Sequence, residues 1–195
     1  MTTVNPRIRT PRAEVREKVL AAALSEFAGK GFVGTTIDAI ADVAGFTKGA
    51  VYSNFGSKDD LFFALLDQQV SRRIEAVAAL ADAAATRPTI AAIGDFLMQG
   101  LLDNRDWQLL FTEYWLRALR DEAVHERFVQ HRRTVRAAVA EAIRRLELGA
   151  EVDPATTAVL VLALNSGLSI EEFTEPGVVP ADLFGAVLQA VTAQR

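Results

Sequence analysis

Apolar residues recur along this chain at spacings of three and four, and no stretch alternates apolar with polar as a half-buried strand would. A first helix is predicted from about Arg12 to Ala28, with Val15, Val19, Leu20, Ala23, Leu24 and Phe27 as its stripe, ended by Gly29, Gly31 and Gly34. Thr35 or Thr36 can cap a second short helix, in which Ile37, Ile40, Ala41 and Ala44 share a face. Gly45 breaks that pattern where a turn needs positive φ. Thr47 caps a third helix that turns Phe46, Ala50, Val51 and Phe55 inward. Gly56 interrupts again, and Ser57 opens a long helix to about Ala84, with Asp60 standing where a capping box carries its acid.

The remainder reads as further helices: Thr89 to about Leu102, Asp106 to Arg120, Glu122 to Leu148, Asp153-Pro154 to about Phe173, and Ala181 to about Ala193. Breaks fall at Arg87-Pro88, Asp103-Asn104, Gly149 and Glu175-Pro176-Gly177. The predicted fold class is all-α. A helix-turn-helix head over residues 1–57, three helices behind an N-terminal arm, precedes a helical body over residues 58–195.

On the third helix the outward positions are Thr47, Lys48, Gly49, Tyr52, Ser53 and Asn54. None is acidic, which suits a helix lying in a groove walled by phosphates. Thr36 and Thr47 sit at helix starts, where free N–H groups and the helix dipole favour a phosphate. Tyr52 and Asn54 can donate to phosphate, and Lys58 adds charge at the next helix start. Lys48 and Gly49, in the first turn, are the candidates for base edges. Arg7, Arg9 and Arg12 are either a minor-groove arm or a solvated tail.

The run Val51-Tyr52-Ser53-Asn54-Phe55-Gly56-Ser57-Lys58-Asp59-Asp60-Leu61, preceded by Gly29-Lys30-Gly31-Phe32, Thr35-Thr36 and Ile40-Ala41, resembles the DNA-binding head of TetR-family transcriptional regulators. The likeness covers roughly residues 10 to 65, about a third of the chain. Ser53 and Asn54 depart from it, since many members carry an aromatic residue and a histidine there. The resemblance implies a one-component regulator, a repressor released from operator DNA by a small molecule, and a homodimer joined through its last two helices.

Net charge is −4, which by itself argues against a nucleic-acid binder. Its distribution changes the picture: residues 1–58 hold eight basic and five acidic side chains, a net +3, leaving −7 for the rest. Basic head and acidic body suit a protein that meets phosphate at one end. With no cysteine there is no thiolate metal site, cysteine nucleophile or disulfide, which fits a cytoplasmic protein. The N-terminus has no apolar core, so it does not read as a secretory signal. The longest apolar run, Ala158 to Leu164, falls short of the roughly 18 residues that suggest a membrane span.

In the body, Trp107, Phe111, Tyr114, Trp115 and Ala118 follow i, i+4, i+7, i+8, i+11 spacing, with Phe96, Leu97 and Met98 as a possible opposite wall. Either this is an apolar cavity for a small hydrophobic or aromatic ligand, lined by Phe96, Trp107, Phe111, Tyr114 and Trp115, or a solid aromatic core. Glu113 beside it would select a cation, if it is not simply solvated. His125 and His131 do not share a helix face, and no metal, cofactor or acid–base constellation stands out, so no metal, no cofactor and no enzyme are expected. The arginines from Arg127 to Arg145, interleaved with Glu126, Glu141 and Glu147, read as a solvated, ion-paired face. The helix carrying Ala158 to Leu164 is apolar all round, and Leu183, Phe184, Val187, Leu188 and Val191 stripe the last one. A two-fold partner or the chain's own helices would cover them. Asn165 either fixes that pairing or lines the cavity. The alternative function is a ligand-independent DNA-binding dimer whose body is an interaction scaffold.

Overall fold

The computed structural model describes residues 11–83, 89–146 and 153–192. It consists of two compact units, Met1–Leu66 and Asp67–Arg195. Arg7, Arg9, the Arg87-Pro88 break, Glu147 and Gly149 lie outside the described residues. All regular structure among the described residues is helical.

The first unit holds α1 (Arg12–Gly34), α2 (Ile37–Ala44), α3 (Lys48–Phe55) and the start of α4 (Lys58–Ala83). The expected end of α1 at Ala28 is corrected. The helix passes through Gly29 and kinks only at Gly31, whose φ of 70° and ψ of 172° lie outside the helical region, then continues to Gly34. That kink turns Phe32 inward, where it stacks on Phe27 at 5.5 Å while Phe62 of α4 meets both rings edge-on at 5.9 and 5.4 Å. Val19, Ile40, Val51 and Leu61 complete a core closed to solvent. Thr35 does not cap α2. It is buried, and its hydroxyl donates to the carbonyls of Glu26 at 3.0 Å and Gly31 at 2.8 Å. Ser57 starts α4, accepting from the Asp60 N–H at 3.0 Å while its hydroxyl donates to the Asp60 carboxylate at 2.6 Å.

The second unit continues along α4 and adds α5 (Ile90–Leu102), α6 (Arg105–Ala118), α7 (Glu122–Arg145), α8 (Pro154–Thr174) and α9 (Leu183–Thr192). Side-chain caps set the starts: Thr89 accepts from Ala92 N–H, Asp121 from Ala123 and Val124, and Asp153 from Thr156. α9 begins two residues later than expected, because Pro180 to Leu183 closes a turn first. Glu172 shapes the loop before it, accepting from the N–H groups of Gly177 at 2.8 Å and Val179 at 3.2 Å.

α5 and α9 cross at Gly94 and Gly185, so close that a Cβ on Gly94 would lie 2.1 Å from Gly185 Cα. Met98 and Leu101 of α5 then bury against Phe184 and Leu188 of α9. Ala140 and Ile143 of α7 pack on Ala158 of α8. Arg73 of α4 donates to the Gly100 carbonyl at 2.8 Å and the Leu97 carbonyl at 3.5 Å, closing the C-terminal turn of α5.

Candidate functional site

The turn between α2 and α3 is built from local signals. Thr36 Oγ1 accepts from Ala39 N–H at 3.2 Å and Thr47 Oγ1 from Ala50 N–H at 3.2 Å, each satisfying a donor the helix leaves unpaired. Gly45 takes φ of 74°. Phe46 N–H then reaches Ala41 carbonyl at 2.9 Å and Gly45 N–H reaches Asp42 carbonyl at 3.2 Å, a Schellman closure.

Val51 and Phe55 anchor α3 in the head's core. Lys48, Gly49, Tyr52 and Ser53 remain exposed, with Tyr52 at 44%. The Lys48 ammonium lies 2.7 Å from the Asp38 carboxylate of α2. That hydrogen bond, with the charge of Asp38 behind it, raises the lysine above its ordinary value. Asn54 is half-buried; its amide donates to Ala50 carbonyl at 2.8 Å and its Oδ1 accepts from Arg12 Nε at 3.3 Å. Arg12 donates also to Ser53 carbonyl at 3.2 Å, and Arg16 lies 4.6 Å from the centre of the Phe55 ring. Two arginines of α1 thus hold the C-terminal end of α3. Their partners lie about forty residues away, so no local pattern in the sequence marks them.

Lys58 is part-buried. Its ammonium donates to the carbonyls of Phe32 and Thr35, both at 2.9 Å, and lies 4.5 Å from the centre of the Phe32 ring. The head therefore brings Thr36, Thr47, Lys48, Gly49 and Tyr52 to its surface, and places Asn54 and Lys58 in internal contacts.

In the second unit the aromatic residues of α6 divide. Tyr114 is buried, Trp107 and Phe111 are half-buried, and Trp115 is 43% exposed, away from the stripe it was expected to join. Phe96 is half-buried on α5. Phe128 of α7, not anticipated from sequence, draws the group together, 5.7 Å from Phe111 and 6.2 Å from Tyr114. Arg132 lies over Phe111 at 5.6 Å and Arg117 over Tyr114 at 5.4 Å. His131 is buried with its Nδ1 3.0 Å from Asp67, and burial lowers its pKa more than that carboxylate raises it.

Residues 19–65 match the family model for bacterial regulatory proteins of the tetR family, and residues 87–194, more than half the chain, match that for the C-terminal region of BetI-type transcriptional repressors. The chain belongs to the TetR family. The HTH-type transcriptional repressor AcnR of Corynebacterium diphtheriae is 26% identical over 130 residues, 67% of this chain and 64% of that one. The probable HTH-type transcriptional regulator ArpR of Pseudomonas putida is 29% identical over 175 residues, 83% of this chain and 81% of that one. In fold, the chain is similar to a TetR-family regulator from Rhodococcus sp., with a TM-score of 0.70 and 22% identity over 93% of this chain and 98% of that one. This TetR-family chain is a DNA-binding transcriptional regulator rather than an enzyme. Among its described residues, no helix is long and apolar enough to cross a membrane.

Proposed function

We propose that the protein is a cytoplasmic repressor, released from its operator when a small hydrophobic or aromatic ligand binds its body. The observation that carries the DNA reading is the exposed, acid-free start of α3, Thr47, Lys48 and Gly49, held by a turn whose geometry Gly45 sets. Thr36, Tyr52, Asn54 and Lys58 belong to the same interface. Asn54 and Lys58 act mainly by fixing α3 and the end of α1, given the contacts they make. We assign DNA reading to residues 1–57 and ligand binding and dimerisation to residues 58–195.

The effector site is placed against Trp107, Phe111 and Tyr114, with Phe128 as a further wall and Phe96 on the neighbouring helix. Ligand binding there shifts a population of conformers, and operator affinity falls by the differential binding energy between them. α4 runs through both units and is the element able to carry that shift. A homodimer forms through α8 and α9. Along α8, Val159, Ala163, Gly167 and Ile170 make an exposed stripe, with Val159 at 53% and Ile170 at 60%.

The second reading, a ligand-independent dimer with a scaffold body, draws on the close ring packing of Phe111, Tyr114 and Phe128. One experiment separates the two. Fluorescence anisotropy with the gene's own upstream DNA tests for binding that weakens steeply with salt, as counterion release requires. The same complex is then challenged with a panel of small apolar compounds. Release by any of them supports the repressor reading; a salt-sensitive complex that none of them dissociates supports the scaffold.

A further inference from the structure

Between α6 and α7 lies an arrangement that apolar packing does not require. Arg132 projects from α7 over the Phe111 ring, 5.6 Å from its centre, and Phe111 in turn meets Phe128. One helical turn on, Arg136 is half-buried beside it. Desolvation lowers the Arg132 pKa, and the like charge of Arg136 lowers it further.

Other charged groups in the body behave differently. Arg73, also half-buried, spends its protons on the carbonyls of Leu97 and Gly100. Arg144 and Arg145 share Glu141. Asp67 faces His131, and Glu113, the acid a cationic ligand would need, already has a partner of its own. Among the described residues, Arg132 meets the Phe111 ring and acts through its charge on His131 and Arg136, and neither arginine finds a hydrogen-bond acceptor or a carboxylate. Two adjacent, partly desolvated guanidinium groups without an anion are costly, and a bound anion would offset that cost.

We propose that Arg132 and Arg136 form the anion-recognising end of the effector site, whose ligand is an organic carboxylate on an apolar or aromatic body. The planar fork of a guanidinium matches a carboxylate bidentately, and the rings of Phe111, Phe128 and Tyr114 supply the apolar wall. This rests on the effector reading above and gives its ligand a charge.

The test uses three probes with one body: 4-phenylbutyrate, 4-phenylbutanamide and 4-phenylbutylamine. Each is titrated calorimetrically into the full-length protein and then into its operator complex. The carboxylate should bind at least about tenfold more tightly than the amide, and the amine most weakly. Arg132→Gln should erase the preference for the carboxylate. It should also raise the ligand-free melting temperature by about 2–4 °C, because it removes a desolvated charge, whereas an arginine that only packs would lower it on loss. Arg136→Gln should act in the same two directions.

Equal or tighter binding of the amide or amine, with release of DNA, would overturn the anion site and leave the effector reading standing. A lowered melting temperature with the carboxylate preference intact would return Arg132 to packing. If no probe binds, the anion site is overturned. The effector reading then falls with it only if uncharged apolar compounds also fail to release operator DNA.

Discussion

In the proposed interface, Asp38 competes with DNA for Lys48. In the free protein the pair is separated by 2.7 Å, with 52% of the lysine side chain and 61% of the aspartate side chain exposed. A pair so exposed contributes little. For Lys48 to reach a base edge that contact must break, and Asp38 is left as an unpaired anion near the phosphates. Asp38→Asn removes the competitor without changing side-chain size. Operator affinity should rise modestly, by about 1.5- to fivefold, and more at low salt. The slope of log affinity against log salt should steepen by up to about 0.9, since Lys48 no longer exchanges one anion for another. Asp38 also sits in the first turn of α2, so its loss costs about 0.3–1 kcal/mol of helix-dipole stabilisation. Melting temperature should therefore fall slightly while affinity rises, and the opposed signs separate the two effects. Anisotropy with an operator duplex at four salt concentrations measures both affinity and slope. In a Lys48→Ala background the gain should vanish. A loss of affinity in Asp38→Asn, or an equal gain without Lys48, would refute this account of the pair.

Gly94→Ala places a methyl 2.1 Å from Gly185 Cα, and overpacking of that kind should cost about 1–3 kcal/mol in thermal or denaturant unfolding. Gly29→Ala meets no atom within 4 Å and lies inside α1, so it should stabilise by up to about 1 kcal/mol. Val159→Asp and Ile170→Asp should convert a sedimenting dimer to monomer and lose operator binding with it, while each protomer keeps its helical circular dichroism. Charge at Leu162 or Val187, both half-buried, should damage the protomer itself. For His131, burial lowers the folded-state pKa, so the unfolded chain takes up its proton first. The neutral ring's contribution to stability is complete above about pH 6.5 and should be lost as pH falls through the folded value; urea unfolding from pH 7.5 to 5 tests this, and His131→Gln should flatten the profile.

The body was legible in its element order and caps, less so in the phase of its helices. Leu109, Leu110, Phe111, Tyr114, Trp115 and Leu116 put apolar side chains almost all round α6, so spacing alone cannot say which face turns inward. Packing decides it. Leu110, Tyr114 and Ala118 are buried, while Leu109, Trp115 and Leu116 are left exposed. The selection depends on a partner 14 residues beyond Tyr114, the Phe128 ring on α7. Arg132 was legible only as one of a run of arginines on a charged helix. Arg144 and Arg145 lie three and four residues beyond Glu141 on the same helix, so spacing alone marks their pairing; Arg132 is set apart by the Phe111 ring it meets on α6, and that is a property of the folded helix pair.

The head shows why local signals succeed and where they stop. Thr36, Gly45, Thr47 and Gly56 each act on backbone within a few residues, so residue type and spacing suffice to place them. Gly29 and Gly31 are the same residue type two positions apart, yet only Gly31 takes positive φ. Phe32 decides between them, because a kink at Gly31 is what delivers its ring to Phe27 and Phe62. The kink has a second consequence. It ends α1 beside the start of α4, and the carbonyls of Phe32 and Thr35 face the Lys58 ammonium there. The negative end of α1 and its two carbonyl hydrogen bonds hold that cation, and they do so against the positive end of α4, where Lys58 is the first residue. The lysine that sequence offers as a phosphate contact is thus also the side chain that locks the α1–α2 junction, and with it the direction in which α2 presents α3. Charge alone predicts the first role; the second follows only once Gly31 has turned the chain.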